Sequence, residues 1–393
     1  MPNFLIDSTA ANPKNVGDIQ QFLDSSEVHD GDIITLKGTF SQANDEFLRL
    51  SKSVILMGDA DAGATISGGK QLQWGRAPNG GIIPIAATVE NITFDNFQIG
   101  AIQIVGAADT NVISNCRFEN YRYGVKKDLK GAWPVVGGNA GVSGSLTITG
   151  CHFGAPVAQT VPAGGMNNAM HINNCDLQHL VISDNVIDDM YLMCLAVWGV
   201  SGLTEIIGNT ITKASSWAES AGAAIGFGLR PSGYPMSRDG SVLIEGNTIN
   251  IDAADSYGIL VGLYPESTYL SSPGVGTPRT LTIRGNVVHM NDVVQGAKDH
   301  RAALACLGAC SNSTWTHNVV TGAAQFGILV SQEAPAIAKP SAEAPTNNAF
   351  AENQLAGGQL TDPTDGHTKT FDSFTASEAQ ICIAEAGSHP ELR

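Results

Sequence analysis

Charged and aromatic side chains are scarce in this chain: Asp, Glu, Lys and Arg make up 15% of its 393 residues and Phe, Trp and Tyr 6%. Long helices with a charged solvent face are therefore not the dominant element. Cations are the rarer charge, with 21 Lys and Arg against 37 Asp and Glu and a formal net charge of −16. Phosphate binding needs clustered Lys and Arg, so nucleic acid is not an expected partner. A polyanion would also be repelled unless its binding surface were locally basic. No uninterrupted apolar run reaches the roughly 18 residues of a membrane span, and none is expected. The opening MPNFLIDSTAANPK lacks the basic segment and apolar stretch of a secretory leader. A cytoplasmic location is the expectation for the sequence as it stands, and a secreted one if a leader has been removed. Cysteine is sparse and odd in number, at seven, and Cys306 and Cys310 in CLGAC miss the CxxC spacing of a metal ribbon or redox pair.

Glycine, at 44 residues, and small apolar side chains are abundant instead. That balance suits many short strands joined by tight turns. An internal repeat runs along the chain: an apolar residue, a variable one, a small polar one, Asn or Cys, a variable one, then Ile, Val, Leu or Phe. It reads ISNCRF (113–118), ITGCHF (148–153), INNCDL (172–177), ISDNVI (182–187), IIGNTI (206–211), IEGNTI (244–249) and IRGNVV (283–288). Weaker copies are ITFDNF (92–97), WTHNVV (315–320) and AENQL (351–355). The step is 24 residues from Asn185 to Asn209, then 38, 39, 32 and 35 to Asn247, Asn286, Asn318 and Asn353. A constant core with inserted loops of varying length explains that spread.

A second apolar element follows each copy after a polar turn, as in YGVKK (123–127), CLAVW (194–198), AIGFGLR (224–230), YGILVGLY (257–264), ALACLG (303–308) and FGILV (326–330). Each repeat thus holds three short strands. Stacked coils place equivalent Asn side chains about 4.8 Å apart, where amides hydrogen-bond up the stack. Asn also tolerates the left-handed conformation of a tight bend. These Asn residues, and Cys116, Cys151 and Cys175 in what read as equivalent slots, are scaffold. Residues 17–26 (GDIQQFLDSS) predict a short amphipathic helix capped by Asp18, covering the open edge of the first coil. Residues 377–387 (SEAQICIAEAG) predict a closing helix or tail ending at Gly387.

The Asn/Cys repeats and the opening HDGDIITLKGTF (29–40) resemble the pectin-lyase-like superfamily. The resemblance implies an all-β fold, a single right-handed parallel β-helix solenoid over residues 1–393. Residues 1–40 would form the N-terminal cap, 41–360 the coils and 361–393 the C-terminal cap or tail. It also implies a groove that carries a carbohydrate substrate along one sheet.

In the third strand of each repeat, alternation that turns Ile259 and Val261 inward turns Ala196, Gly226, Gly228, Leu260, Gly262, Ala305 and Ser331 outward. Long loops at 126–144, 230–240, 264–279 and 331–349 would wall this small-residue face into a groove. At its margins stand the candidate catalytic residues Asp188, Asp189, Glu219, Arg230, His300 and Arg301. Candidate substrate-binding residues are Lys126, Lys127, Trp198, Trp217, Arg238, Asp255, Tyr257 and Tyr264. Carboxylates one or two coils apart would be about 5 or about 10 Å apart, the separations of retaining and inverting glycosidases. A lyase or epimerase acting on uronates needs a Lys, Arg, Tyr or His base and a cation beside the enolate. Arg230, Pro231 and Arg238 resemble the Arg-x-Pro-x-x-Arg segment of pectate lyases, with the second Arg displaced. Of the polygalacturonase motifs only Asp188-Asp189 is present; Gly-His-Gly and Arg-x-Lys are absent. Acidic turns leave room for a calcium ion, but no carboxylate cluster with the spacing of calcium ligands stands out, so no cofactor is expected.

The leading expectation is a carbohydrate-active enzyme, a lyase, glycoside hydrolase or epimerase working on a saccharide in the groove. The alternatives are a non-catalytic binding or structural solenoid and an intracellular enzyme with a smaller, more apolar substrate.

Overall fold

The computed structural model describes residues 2–42, 47–69, 71–97, 100–120, 131–132, 134–138, 141–154, 166–173, 175–188, 190, 193–198, 200, 202–213, 222–228, 240–252, 256–262, 280–290, 302–307, 313–322, 326–331, 348–356, 359–361, 368–370, 374–376, 382–384 and 391–392. They fall into two compact units, Met1–Asp188 and Asp189–Arg393. Each unit is a parallel β-helix.

In the first unit the chain winds through three strand positions per coil. The first is occupied by Ile33–Ser41, Ile55–Gly58, Thr88–Glu90, Thr110–Ser114, Ser143–Thr149 and Asp176–Ser183, each paired in parallel with the next. The second, just past the bend, holds Ala64–Ser67, Ile92–Asp95, Arg117–Glu119, His152–Phe153 and Val186–Ile187. The third holds Phe47–Leu50, Gln71–Trp74, Ile102–Ile104, Val135–Gly138 and Met166–Asn173. The second unit repeats the plan. Leu203–Ile207, Thr210–Lys213 and Gly222–Gly228, for example, are the three strands of one coil, in register with Ser241–Glu245, Thr248–Ile251 and Ser256–Gly262 of the next.

Inward side chains stack like on like. Phe94, Phe118 and Phe153 lie on successive coils with ring centroids 5.4 and 4.6 Å apart and nearly parallel planes. All three are buried, and each such ring contributes roughly 2–3 kcal/mol by leaving water.

The bends show how the repeat works. In the second unit the backbone N and Nδ2 of Asn209 both donate to Oδ1 of Asn247, each at 2.9 Å. Asn247 donates likewise to Asn286, Asn286 to Asn318 and Asn318 to Asn353, at 2.9–3.1 Å. Nδ2 of Asn247, Asn286, Asn318 and Asn353 also donates to the main-chain carbonyls of Ile206, Ile244, Ile283 and Trp315. All five amides are fully buried. Burial makes the ladder obligatory, since an unpaired buried amide costs about 1–3 kcal/mol.

The left-handed residue of the bend is not the ladder Asn, as expected from sequence, but the one before it. Positive φ occurs at Gly208, Gly246, Gly285, His317 and Glu352 in the second unit and at Asn115, Gly150 and Asp184 in the first. The preceding residue takes the reversal, which leaves the Asn free to aim its amide along the stack. Gly, Asn and Asp dominate there because they tolerate that conformation best.

Cys116, Cys151 and Asn185 share one stack in the first unit, with the Cys151 backbone N donating to Asn185 Oδ1 at 2.9 Å. Cys175 does not belong to it. Register aligns Ser143 with Asp176, so Cys175 follows Val142, Ala107 and Ile85 at the corner between third and first strands. The INNCDL copy reads as a bend because that corner also turns on a buried small residue.

The N-terminal helix spans Val16–Asp24, with Val16, Ile19 and Leu23 buried. Its N-cap is Asn15 rather than Asp18; Asp18 is the third helical residue and closes a reciprocal capping box, Asn15 N to Asp18 Oδ2 at 2.7 Å and Asp18 N to Asn15 Oδ1 at 3.1 Å. At the other end the described part of 377–387, Cys382–Ala384, is a strand and not a helix, pairing in parallel with Leu329–Ser331. The sheet edge of the last coil offers that segment backbone partners that a helix over 377–387 would forgo. Among the described residues no helix is long and apolar enough to cross a membrane.

Candidate functional site

In the first unit the third-strand sheet alternates from Phe47 to Val136. Leu48, Leu50, Leu72, Trp74, Ile102, Ile104 and Val135 are buried, whereas Arg49, Gln73, Gln103, Val136 and His171 are half-buried and face out. Register makes these five one continuous column, Arg49 to Gln73 to Gln103 to Val136 to His171. Gln73 Nε2 donates to Gln103 Oε1 at 3.2 Å. At the far end Asn168, 3% exposed, lies 3.3 Å through Nδ2 from Nδ1 of His171. At the near end the Arg49 backbone N donates to Gln20 Oε1 of the N-terminal helix at 2.6 Å. Amides, a guanidinium and an imidazole on a flat row provide donors and acceptors at strand spacing, the chemistry that recognises hydroxyl-rich ligands.

The same sheet in the second unit is different. Its outward column, Ala196 to Gly226 to Leu260 to Ala305, is in the register expected from the alternation. It is not an open face: Ala196 is 1%, Leu260 3% and Ala305 0% exposed, and every residue of Gly222–Gly228 and Ser256–Gly262 is buried. A Cβ added at Gly226 would sit 2.6 Å from Sδ of Met193, so the thioether lies against that glycine. Small residues there make room for close packing.

A third group of polar side chains lies on the second-strand face of the first unit. Arg117 Nη2 pairs with Glu119 Oε1 at 2.6 Å, and Asp95 accepts from Ser67 Oγ at 2.9 Å and Asn120 Nδ2 at 2.7 Å. His152 Nε2 pairs with Asp188 Oδ2 at 3.2 Å, and its Nδ1 is buried with no hydrogen-bond partner. Each of these carboxylates is held by a neighbour. Among the described residues no three His, Cys, Asp or Glu side chains converge as a metal site.

Of the residues singled out from sequence, Asp188 and Tyr257 are described with their side chains. Asp188 sits just past Val186–Ile187 in the pair with His152. Tyr257 is 2% exposed, so its ring packs within the protein and does not stand as an open platform for a sugar. Trp198 ends the strand Met193–Trp198, its side chain outside the described residues. Asp189, Glu219, Arg230, His300, Arg301, Lys126, Lys127, Trp217, Arg238, Asp255 and Tyr264 lie outside the described residues. Arg49, Gln73, Gln103 and Asn168 were missed. The available signal was the alternation in FLRL, QLQW and IQI, where Arg49, Gln73 and Gln103 each stand between buried apolar residues.

No protein-family model and no curated protein matches the chain. Solved structures do. A PL6 family polysaccharide lyase from Pseudopedobacter saltans is 13% identical, with 99% of this chain and 96% of that one covered and a TM-score of 0.46. A mannuronic acid specific family 6 polysaccharide lyase from human gut microbiota is 14% identical, with 98% and 91% covered and a TM-score of 0.36. A PL6 alginate lyase in complex with a trisaccharide is 13% identical, with 99% and 95% covered and a TM-score of 0.36. The parallel β-helix assignment itself is carried by this chain's own strand register.

Proposed function

We propose that this protein is a carbohydrate-active enzyme that holds a saccharide chain along the outward face of the third-strand sheet in residues 47–173. The observation that carries the reading is the half-buried column Arg49, Gln73, Gln103, Val136 and His171, polar at four of five positions on a rigid surface. Hydroxyl groups exchange water for amide partners with little reorganisation on such a surface. Either cleavage chemistry is open to the residues on hand. Elimination requires a base for the proton beside a sugar carboxyl group and a cation to hold the developing enolate. His171 and Arg49 are of those types but stand four strand spacings, about 19 Å, apart, so the partner of either is proposed among Arg230, His300 and Arg301. Hydrolysis requires two carboxyl groups across the glycosidic bond; Asp189 and Glu219 are proposed for those roles, whereas Asp188 lies with His152 on the second-strand face.

A binding solenoid without catalysis is the second reading. The engagement of Asp95, Glu119 and Asp188 by neighbouring side chains favours it, because carboxylates tied to partners are poor general acids and bases. Reducing-end and unsaturated-product assays across a panel of neutral and acidic polysaccharides, with and without EDTA, separate these possibilities. New reducing ends with ultraviolet absorbance signify elimination, and reducing ends alone signify hydrolysis. Binding without any product would replace the enzyme reading with the second one.

A further inference from the structure

The N-terminal helix does more than cover the first coil. Between its outer face and the strand Phe47–Leu50 lies an open cleft of about 470 Å³, lined by Val16, Gly17, Gln20, Gln21, Asp24, Phe47 and Arg49. Two of its polar groups are already satisfied. Gln20 receives the Arg49 backbone N–H on Oε1 and donates through Nε2 to Asp24 Oδ1 at 3.1 Å and to the Arg49 carbonyl at 3.3 Å. This clamp fixes the backbone of Arg49 against the helix. The guanidinium is left over. Its Nε is buried with no hydrogen-bond partner, and no carboxylate among the described residues pairs with it.

A buried guanidinium N–H without an acceptor is costly, and it makes the cleft receptive to an acceptor brought by a ligand. The edge of a guanidinium formed by Nε and one Nη is a planar two-donor fork, which matches the two oxygens of a carboxylate. The first turn of the helix borders the same cleft at Val16 and Gly17, its end already capped by Asn15 and Asp18. Gly17 presents no side chain there. The charge of the whole protein, −16, works against anions, so any such affinity must be local to Arg49.

We infer that this cleft is a binding site for a carboxylate-bearing ligand, with Arg49 as the anion-binding residue and the Gln20 clamp as its positioning support. The carboxylate can come from an acidic sugar or from a simple organic acid. The site shares Arg49 with the proposed saccharide face and so deepens that reading, but recognition of the carboxylate itself requires no catalytic activity.

The test is calorimetric titration of the full-length protein with D-glucuronate, succinate, D-glucose and inorganic phosphate, on the wild type and on Arg49→Gln and Arg49→Lys. Unchanged melting temperatures identify variants that fold normally; Gln20→Ala, which loosens the clamp but keeps the charge, serves as a further variant. The expected result is millimolar binding of glucuronate, no detectable binding of glucose, and a loss of about tenfold or more in Arg49→Gln. Arg49→Lys should recover only part of it, because a point charge lacks the fork. Succinate binding as well as glucuronate assigns the recognition to the carboxylate alone; glucuronate binding alone adds a sugar subsite. Three results overturn the inference: no binding of either acid, phosphate binding as tightly as the acids, or affinity unchanged in Arg49→Gln. A protein inactive on every polysaccharide that still binds glucuronate through Arg49 would sink the proposed function and leave this site standing.

Discussion

The third-strand sheet of the first unit and that of the second are built on the same coil plan and have opposite surfaces. In the first, the outward column is Arg49, Gln73, Gln103, Val136 and His171, half-buried and mostly polar. In the second it is Ala196, Gly226, Leu260 and Ala305, apolar or without a side chain and buried. A solenoid sheet has one face committed to the core, so its outward residues are where a coil differs from its neighbours. The accessible polar face is therefore where the proposed ligand recognition sits, whereas the small-residue face of the second unit is buried.

Replacement of outward residues should expose this contrast most sharply. Leu260→Asp places an unpaired carboxylate in a site 3% exposed and is expected to cost about 4 kcal/mol, read as a large drop in the denaturation midpoint. Gln103→Asp at the equivalent face of the first unit should change stability by less than about 0.5 kcal/mol. Equal losses at both would show the two faces to be alike.

The bends provide a second contrast, between the amide ladder of the second unit and the Cys116–Cys151–Asn185 stack of the first. Asn247→Ala removes the acceptor for Asn209 and the donor to Asn286, and should cost about 3 kcal/mol in urea unfolding. Gly246→Ala, at φ 64°, should cost about 1 kcal/mol, because a Cβ disfavours that conformation.

Alkali should act on the first unit through the buried Cys175 thiol. Burial pushes the Cys175 thiol from its ordinary 9.0 up to about 12. The folded state then holds that proton more tightly than the unfolded chain does. Its contribution to stability is full below the unfolded value and is lost as pH rises from about 9 towards about 12. Unfolding measured across that range should be less pH-dependent in Cys175→Ala; an identical alkaline limb would exclude this thiol as its source.

The fold was legible because the ladder residues recur in sequence as they stack in space. Asn209, Asn247, Asn286, Asn318 and Asn353 could be aligned by eye, and their hydrogen bonds follow from that alignment. Cys175 misled for a physical reason: a buried small residue at a corner has the same local signature as a bend, and only register separates 175 from 185. Trading Asn15 for Asp18 as N-cap arose similarly, since both residues belong to one capping box. The candidate site was much less legible. The long loops point to a groove beside the small-residue strands, whose described residues are buried. Gln73 and Gln103 carry no motif and become visible only when strands about 30 residues apart are laid side by side.

Binding of an oligosaccharide panel to the wild type and to Gln73→Ala/Gln103→Ala measures the central assignment most directly. Assignment of the saccharide to the polar third-strand face predicts an affinity loss of about tenfold with an unchanged melting temperature. Undiminished affinity in the double variant would contradict it.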